Sequence, residues 1–346
     1  MRKLIWGLII FFIAIFVAVF VIGPIWEQIE RLRVAEAFPA PGRLVDVGER
    51  KIQIDCRGEG APMVVFESGL GPSGATDWFK VHDEVAKFTR ACAYSRAGIM
   101  WSDDKPGVHD GEGVARDLHA VLEAAGEKGP LVLVGHSIGG PYISIFTKLY
   151  SDRVAGLVYL DGSYPEQEKR FEAALGRSLK FPLLDASLKL AAFLSWTGVP
   201  RVGLMAFGSS LAEGLGDSQI EVLKALAPSS LAAMRAEADA LPRTFAEASS
   251  ARSLGARPFA VLTAGKPPSD KMLSVMGMTR EEATKLENAW FEMQNEIASW
   301  SSRASHRTLG DSDHVVQFDR PDAVIEAVRS VVETVRVDDR SKGSLP

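Results

Sequence analysis

The chain of 346 residues is poor in cysteine, with only Cys56 and Cys92, too few for a disulfide framework to stand in for a hydrophobic core. It has no basic run interleaved with aromatics, and its net charge is −5, so the electrostatic footprint of a nucleic-acid partner is missing. A Gly-Lys-Ser/Thr phosphate loop and clustered His/Cys metal spacings are also lacking, as are internal repeats and low-complexity stretches. Hydrophobic residues make up 47 % and charged residues 24 %, an ordinary globular balance with enough apolar material for a sizeable core.

Charge is also absent from Leu4 to Trp26. The most apolar part, Leu4 to Ile22, has 19 residues. As a helix it would be roughly 28 Å long, close to a hydrocarbon layer of about 30 Å. Trp6 and Trp26 stand where interfacial aromatics are expected. Arg2 and Lys3 precede the run and favour a cytoplasmic Met1, with Arg31 and Arg33 competing from the other side. A cleaved signal peptide is the rival reading, but Val21-Ile22-Gly23-Pro24-Ile25-Trp26 lacks a small-x-small exit; a buried soluble helix is a third. Residues 1–26 are therefore expected to form a single-pass membrane anchor. That would place the following domain in the periplasm or outside the cell.

Residues 27–42 read as a polar linker ending in Pro39-Ala40-Pro41-Gly42. Two strands, Arg43–Val47 and Lys51–Cys56, flank the turn Gly48-Glu49. Met63–Glu67, Ala91–Tyr94, Leu131–Val134 and Val154–Leu160 are short apolar runs suited to buried strands, followed much later by Pro258–Thr263 and His306–Leu309. Helical spacing marks Trp78–Phe88, Gly113–Ala125, Ile138–Tyr150, Ala289–Ser301 and Pro321–Val335. Strands alternating with helices indicate a mostly parallel sheet covered on both faces. The hundred or so residues between Leu160 and Pro258 are too many for a loop. They read as a helical insertion, a cap at about 164–255. The domain then spans 43–336, and 337–346 is a polar, disordered tail.

Gly135-His136-Ser137-Ile138-Gly139 lies directly between the strand Leu131–Val134 and a helix. This is the G-x-S-x-G nucleophile elbow in the strand–turn–helix context it requires. A side chain at Gly135 or Gly139 would meet the neighbouring strand or helix. The turn lifts the serine hydroxyl out of the sheet, and the helix start behind it favours developing negative charge.

From about Gly42 to Val335 the chain resembles the α/β-hydrolase family. Four further segments carry the resemblance. Glu67-Ser68-Gly69-Leu70-Gly71 follows the third strand, where the family places its oxyanion loop. Tyr94-Ser95-Arg96-Ala97-Gly98 through Ser102-Asp103 is similar to the family's aspartate-arginine-x-glycine segment. Asp313-His314 is similar to its histidine loop, and Arg320-Pro321-Asp322 to the start of its last helix. The resemblance implies an eight-stranded, mostly parallel sheet with helices on both faces and a helical cap. It also implies a Ser…Asp/Glu…His order, with no cofactor and no metal. Ser95 departs from the family's aspartate and Met100 from a common glycine, which puts a salt bridge of this loop with Arg96 in doubt.

An elbow serine needs an imidazole within hydrogen-bond reach to attack. Of the six histidines, His314 holds the family's position. His82, His109 and His119 carry no motif, His136 is the elbow's variable residue, and His306 precedes the loop. The acid is expected at Asp161, with Asp270 and Asp311 as alternatives. Asp161 ends a buried strand at the carboxyl edge of the sheet, where α/β sites lie. Asp270 comes late after the seventh strand, where many relatives carry the acid. The oxyanion donors implied are the backbone N–H groups of Leu70 and Ile138.

The family's strand order makes the second and fourth strands neighbours, so Cys56 and Cys92 are either a disulfide, as suits an oxidising compartment, or two buried thiols. The cap's Phe181, Leu183, Phe193, Trp196, Met205 and Phe207 either line an apolar pocket or form the cap's own core. The expected activity is hydrolysis of a small, apolar carboxylic ester through an acyl-enzyme. Thioester, amide and carbon–carbon cleavage use the same machinery, and a non-catalytic, membrane-anchored binding protein on this scaffold is the alternative from another class. Ser137 argues against the epoxide and haloalkane chemistry that an aspartate nucleophile would suggest.

Overall fold

A computed structural model describes residues 1–179, 181–207 and 215–343. Eight strands form one sheet: β1 (Arg43–Asp46), β2 (Lys51–Arg57), β3 (Met63–Glu67), β4 (Ala91–Tyr94), β5 (Leu131–His136), β6 (Val154–Leu160), β7 (Phe259–Ala264) and β8 (Ala304–Leu309). Their order is β1-β2-β4-β3-β5-β6-β7-β8. β2 pairs antiparallel with β1 and β4, and all other pairings are parallel.

Period-two alternation splits the strands between two cores. Leu131 and Leu133 of β5 pack in one, and Val132 and Val134 in the other. The first core is covered by α3 (Gly111–Ala124), α4 (Gly139–Leu149) and α10 (Arg280–Ala298). The second is covered by α2 (His82–Ala86) and α12 (Pro321–Gly343). This two-sided burial explains why the central strands read as continuous apolar runs. Cys56 and Cys92 sit directly opposite each other in the β2–β4 ladder and are joined as a disulfide.

Among the described residues the insertion after β6 holds the helices α5 (Gln167–Leu175), α6 (Pro182–Phe193), α7 (Val199–Phe207) and the long α8 (Asp217–Ser249). Two more, α9 (Asp270–Met276) and α11 (Val316–Asp319), lie in connections.

Three segments differ from the sequence reading. The 27–42 linker is helical as far as Ala37: α1 runs Arg2–Ala37 as one helix with a π turn at Ala18–Ile22. Pro24 has no N–H to give and would crowd the carbonyl four residues back, and the wider π turn just before it absorbs that mismatch. Glu27 then holds the segment in place through buried pairing with Arg201. The helix expected over Trp78–Phe88 is a 3₁₀ turn, Gly74–Trp78, followed by α2. The Trp78 ring stacks on Phe66 at 4.7 Å and donates to Ser68 Oγ at 3.0 Å, which fixes the earlier, tighter turn. The 337–346 tail continues as helix to Gly343, with Asp338 paired to Arg303 at 2.6 Å; 344–346 lie outside the described residues.

Candidate active site

The site is assembled at the carboxyl ends of β5, β6 and β8. β5 delivers Ser137 at a bend with φ of +55°, a backbone conformation that side chains rarely adopt. The bend closes because glycine flanks it: a Cβ on Gly135 would come within 2.5 Å of the Gly139 carbonyl oxygen, and one on Gly139 within 2.4 Å of the Glu67 carbonyl oxygen. The Ser137 amide donates to Leu160 O at 3.1 Å, tying the elbow to β6.

β6 ends at Asp161, also at positive φ, +44°, whose amide donates to Leu262 O at 2.7 Å. The turn buries the carboxylate and aims it across the sheet edge. His314, on the loop between β8 and α11, lies between Asp161 and Ser137. Its Nδ1 is 2.6 Å from Asp161 Oδ2, and its Nε2 is 3.0 Å from Ser137 Oγ. The structure thus brings together Ser137, His314 and Asp161. Asp270 is exposed and paired with Arg280, and Asp311 is paired with Arg320, so both alternative carboxylates are engaged away from His314.

The second oxygen of Asp161 accepts from the Trp290 indole N–H at 2.8 Å and the Ala264 amide at 3.1 Å. His136, beneath the elbow, donates from Nε2 to the His314 carbonyl at 2.9 Å and so holds the histidine loop. Burial, reinforced by neighbouring His314, lowers its pKa to about 3. It is a neutral, structural imidazole.

Leu70 lines the cavity above Ser137 between Gly69 and Gly71, and Ile138 caps α4. Among the described residues neither amide donates to a protein acceptor, which leaves both free for an incoming oxygen. Arg96 holds the Leu70 loop from below, donating to Ser68 O and Gly69 O, both at 2.8 Å. Ser95 in the family's aspartate position leaves Arg96 to other partners. It pairs with Glu67 at 2.8 Å and grips Glu237 of α8 through Nε at 2.7 Å and Nη2 at 2.8 Å. Burial raises the Glu67 carboxyl, with Arg96 opposing, and the acidic partners offset desolvation to keep the guanidinium charged. Met100 keeps the backbone of the glycine it replaces, with φ of +53°.

Trp290 and Glu237 carry no motif, and the sequence reading missed both. Glu237 had one signal: a lone charge on the buried small-residue stripe Ala233–Glu237–Ala240–Thr244.

A cavity of about 480 Å³ opens over Ser137, walled by the Leu70 loop and His314 below and by Leu188, Leu204, Leu223 and Met234 of the cap above. Asp77 sits half-buried in its wall, and burial raises its carboxyl to about 6 against a hydrogen bond with Ser73. Phe181, Leu183, Phe193, Trp196 and Met205 neither line this cavity nor pack in the cap: all five are exposed. The Phe207 side chain lies outside the described residues. Cys56, Cys92 and Glu127 bring ligand atoms within 4.8 Å of one another, but the two sulfurs are bonded to each other and offer no thiolate.

A model described as the alpha/beta hydrolase family matches residues 64–327. The chain belongs to the alpha/beta hydrolase family. An uncharacterized protein of Schizosaccharomyces pombe is 34 % identical to this hydrolase over 122 residues, 35 % of the chain and 20 % of that protein. The chain therefore spans about a fifth of that curated relative. Among solved structures, a putative epoxide hydrolase from Pseudomonas aeruginosa superposes with a TM-score of 0.62 at 17 % identity, covering 86 % of this chain and 97 % of that one. A thermophilic esterase from Thermogutta terrifontis gives 0.55 at 20 % identity, covering 84 % and 97 %. Both are likenesses of fold.

Proposed function

We propose that this hydrolase cleaves carboxylic esters of apolar character through an acyl-enzyme formed on Ser137. The observation that carries the reading is the unbroken path from Asp161 Oδ2 through His314 to Ser137 Oγ, with steps of 2.6 and 3.0 Å. Ser137 Oγ attacks the ester carbonyl as His314 Nε2 takes its proton. Asp161 holds the imidazole in the Nδ1–H tautomer and stabilises the imidazolium. The Leu70 and Ile138 amides receive the oxygen on which charge develops. His314 returns the proton to the departing alcohol, then activates a water that releases the acid and regenerates Ser137. The leucines of the cap wall favour an apolar acyl or alcohol group.

The chain acts at a membrane, with Arg2–Ala37, long and apolar enough to cross one, as its anchor and the hydrolase domain on the periplasmic or outer side. Support comes from its uncharged stretch and from the disulfide.

The test is labelling of the full chain by a fluorophosphonate, alongside hydrolysis of p-nitrophenyl esters. We expect labelling and turnover in the wild type and neither in Ser137→Ala or His314→Ala. Equal labelling of wild type and Ser137→Ala overturns the reading. Carbonate-resistant membrane retention of the full chain tests the anchor.

A further inference from the structure

Large apolar side chains are exposed along the outside of the cap. Leu183, Leu190 and Phe193 follow helical spacing along α6, and Val202 and Met205 along α7, with Trp196 in the turn between. Leu183 is 86 % exposed, Phe193 66 % and Met205 63 %. A face of this size on a water-facing cap calls for a partner. The charges beside it, on the half-exposed Asp185 and Lys189 and the buried Arg201, are paired. Asp185 and Lys189 pair with each other, Asp185 reaches Arg235 on α8 at 2.6 Å, and Arg201 is buried against Glu27.

The face is also fixed in position beside α1. Arg201 grips Glu27, the first charge after the apolar run, at 2.6 and 2.9 Å. A Cβ on Gly23 would lie 2.3 Å from the Thr197 carbonyl oxygen, so the glycine lets α1 and the α6–α7 turn touch backbone to backbone. The Phe20 and Trp196 rings meet at 6.1 Å. Phe20 belongs to the apolar run itself, about 10 Å along the helix axis from Glu27. Trp196 therefore stands at the depth of the run's last turns, and the exposed face of α6 and α7 continues the exposed apolar surface of α1. The inner sides of the same two helices supply Leu188 and Leu204 to the cavity over Ser137.

We infer that α6 and α7 are seated in the apolar layer of the lipid bilayer next to the spanning helix, so that the cavity over Ser137 draws a lipid-dissolved ester from the membrane. This rests on the anchor reading and goes beyond it: an anchor alone would leave the cap in water. The occupant of the face is lipid because the surface it extends is the one that α1 presents to lipid, and because the tryptophan at its edge suits a membrane boundary.

The test uses the full chain in phosphatidylcholine vesicles, with an environment-sensitive fluorophore on Phe12→Cys, Phe193→Cys or Val202→Cys in turn; the native cysteines are disulfide-bonded and do not compete. Spin-labelled lipids are expected to quench all three labels, and aqueous iodide none. Lipid quenching at 12 with iodide quenching at 193 and 202 overturns the seating while the anchor stands. No lipid quenching at any position removes the anchor as well. Shielding of 193 and 202 from both quenchers means that protein covers the face, and overturns the bilayer as its occupant. In a second measurement, Leu190→Asp with Phe193→Asp should lower hydrolysis of a long-chain ester presented in vesicles at least tenfold, leaving a short soluble ester unaffected. Unchanged activity on both esters, or an equal loss on both, overturns the inference.

Discussion

The Trp290 indole N–H donates at 2.8 Å to Asp161 Oδ1, on the same carboxylate whose other oxygen faces His314. Trp290 comes from α10, so the carboxylate is oriented by an element remote from both the elbow and the histidine loop. A hydrogen bond to a charged group contributes about 1.5 kcal/mol or more. Trp290→Phe should therefore lower kcat about tenfold with little change in KM. Steady-state kinetics on a soluble ester would check this. A variant that raises KM alone would assign Trp290 to substrate binding instead.

Asp161→Asn should lower kcat by about 10³–10⁴, because the imidazole would lose both its tautomer control and its counter-charge. Asp270→Asn should leave kcat as it is, since that carboxylate pairs at the surface with Arg280. A reversed order in the two rates would move the acid to the end of the seventh strand.

Glu237→Leu should cost about 3–5 kcal/mol in urea denaturation, because it leaves the buried Arg96 guanidinium without its bidentate partner. The same variant should slow turnover, since Arg96 also holds the carbonyls of Ser68 and Gly69 under the proposed oxyanion loop. An exposed pair such as Glu281–Lys285 gives the contrast: Glu281→Ala should be silent.

Asp77 sets a pH dependence of known sign. Its carboxyl moves up from 3.8 to about 6 on folding because burial disfavours the charge. Between those values the folded chain binds more protons than the unfolded one, so this group's contribution to stability falls as pH rises through the window. Asp77→Asn should therefore gain stability over wild type from about pH 4 to about pH 6, reaching at most about 2 kcal/mol because the side chain is partly open to the cavity. Above that the difference should be flat. Thermal denaturation of both proteins across this range is the measurement, and a difference that shrinks with rising pH would reject the assignment.

The sequence by itself determined what local chemistry dictates. Continuous apolar runs marked β3, β4 and β6 to the residue, since a strand buried on both faces needs no polar side chain. Gly135 and Gly139 marked the elbow, since only glycine allows the close approaches there. The family order pointed to His314 and put Cys56 beside Cys92. Tertiary structure decided the rest, because it turns on contacts between segments far apart in the chain. The sequence favoured Asp161 as the acid without excluding Asp270, and only the folded sheet edge brings one of them to His314. Glu27 looked like the start of a solvated linker until Arg201, 174 residues away, made it a buried partner that extends α1. The apolar residues of the cap could be counted from the sequence. Which of them turn to the cavity and which turn outward depends on how α6 and α7 pack against α1 and α8, and no local periodicity encodes that choice.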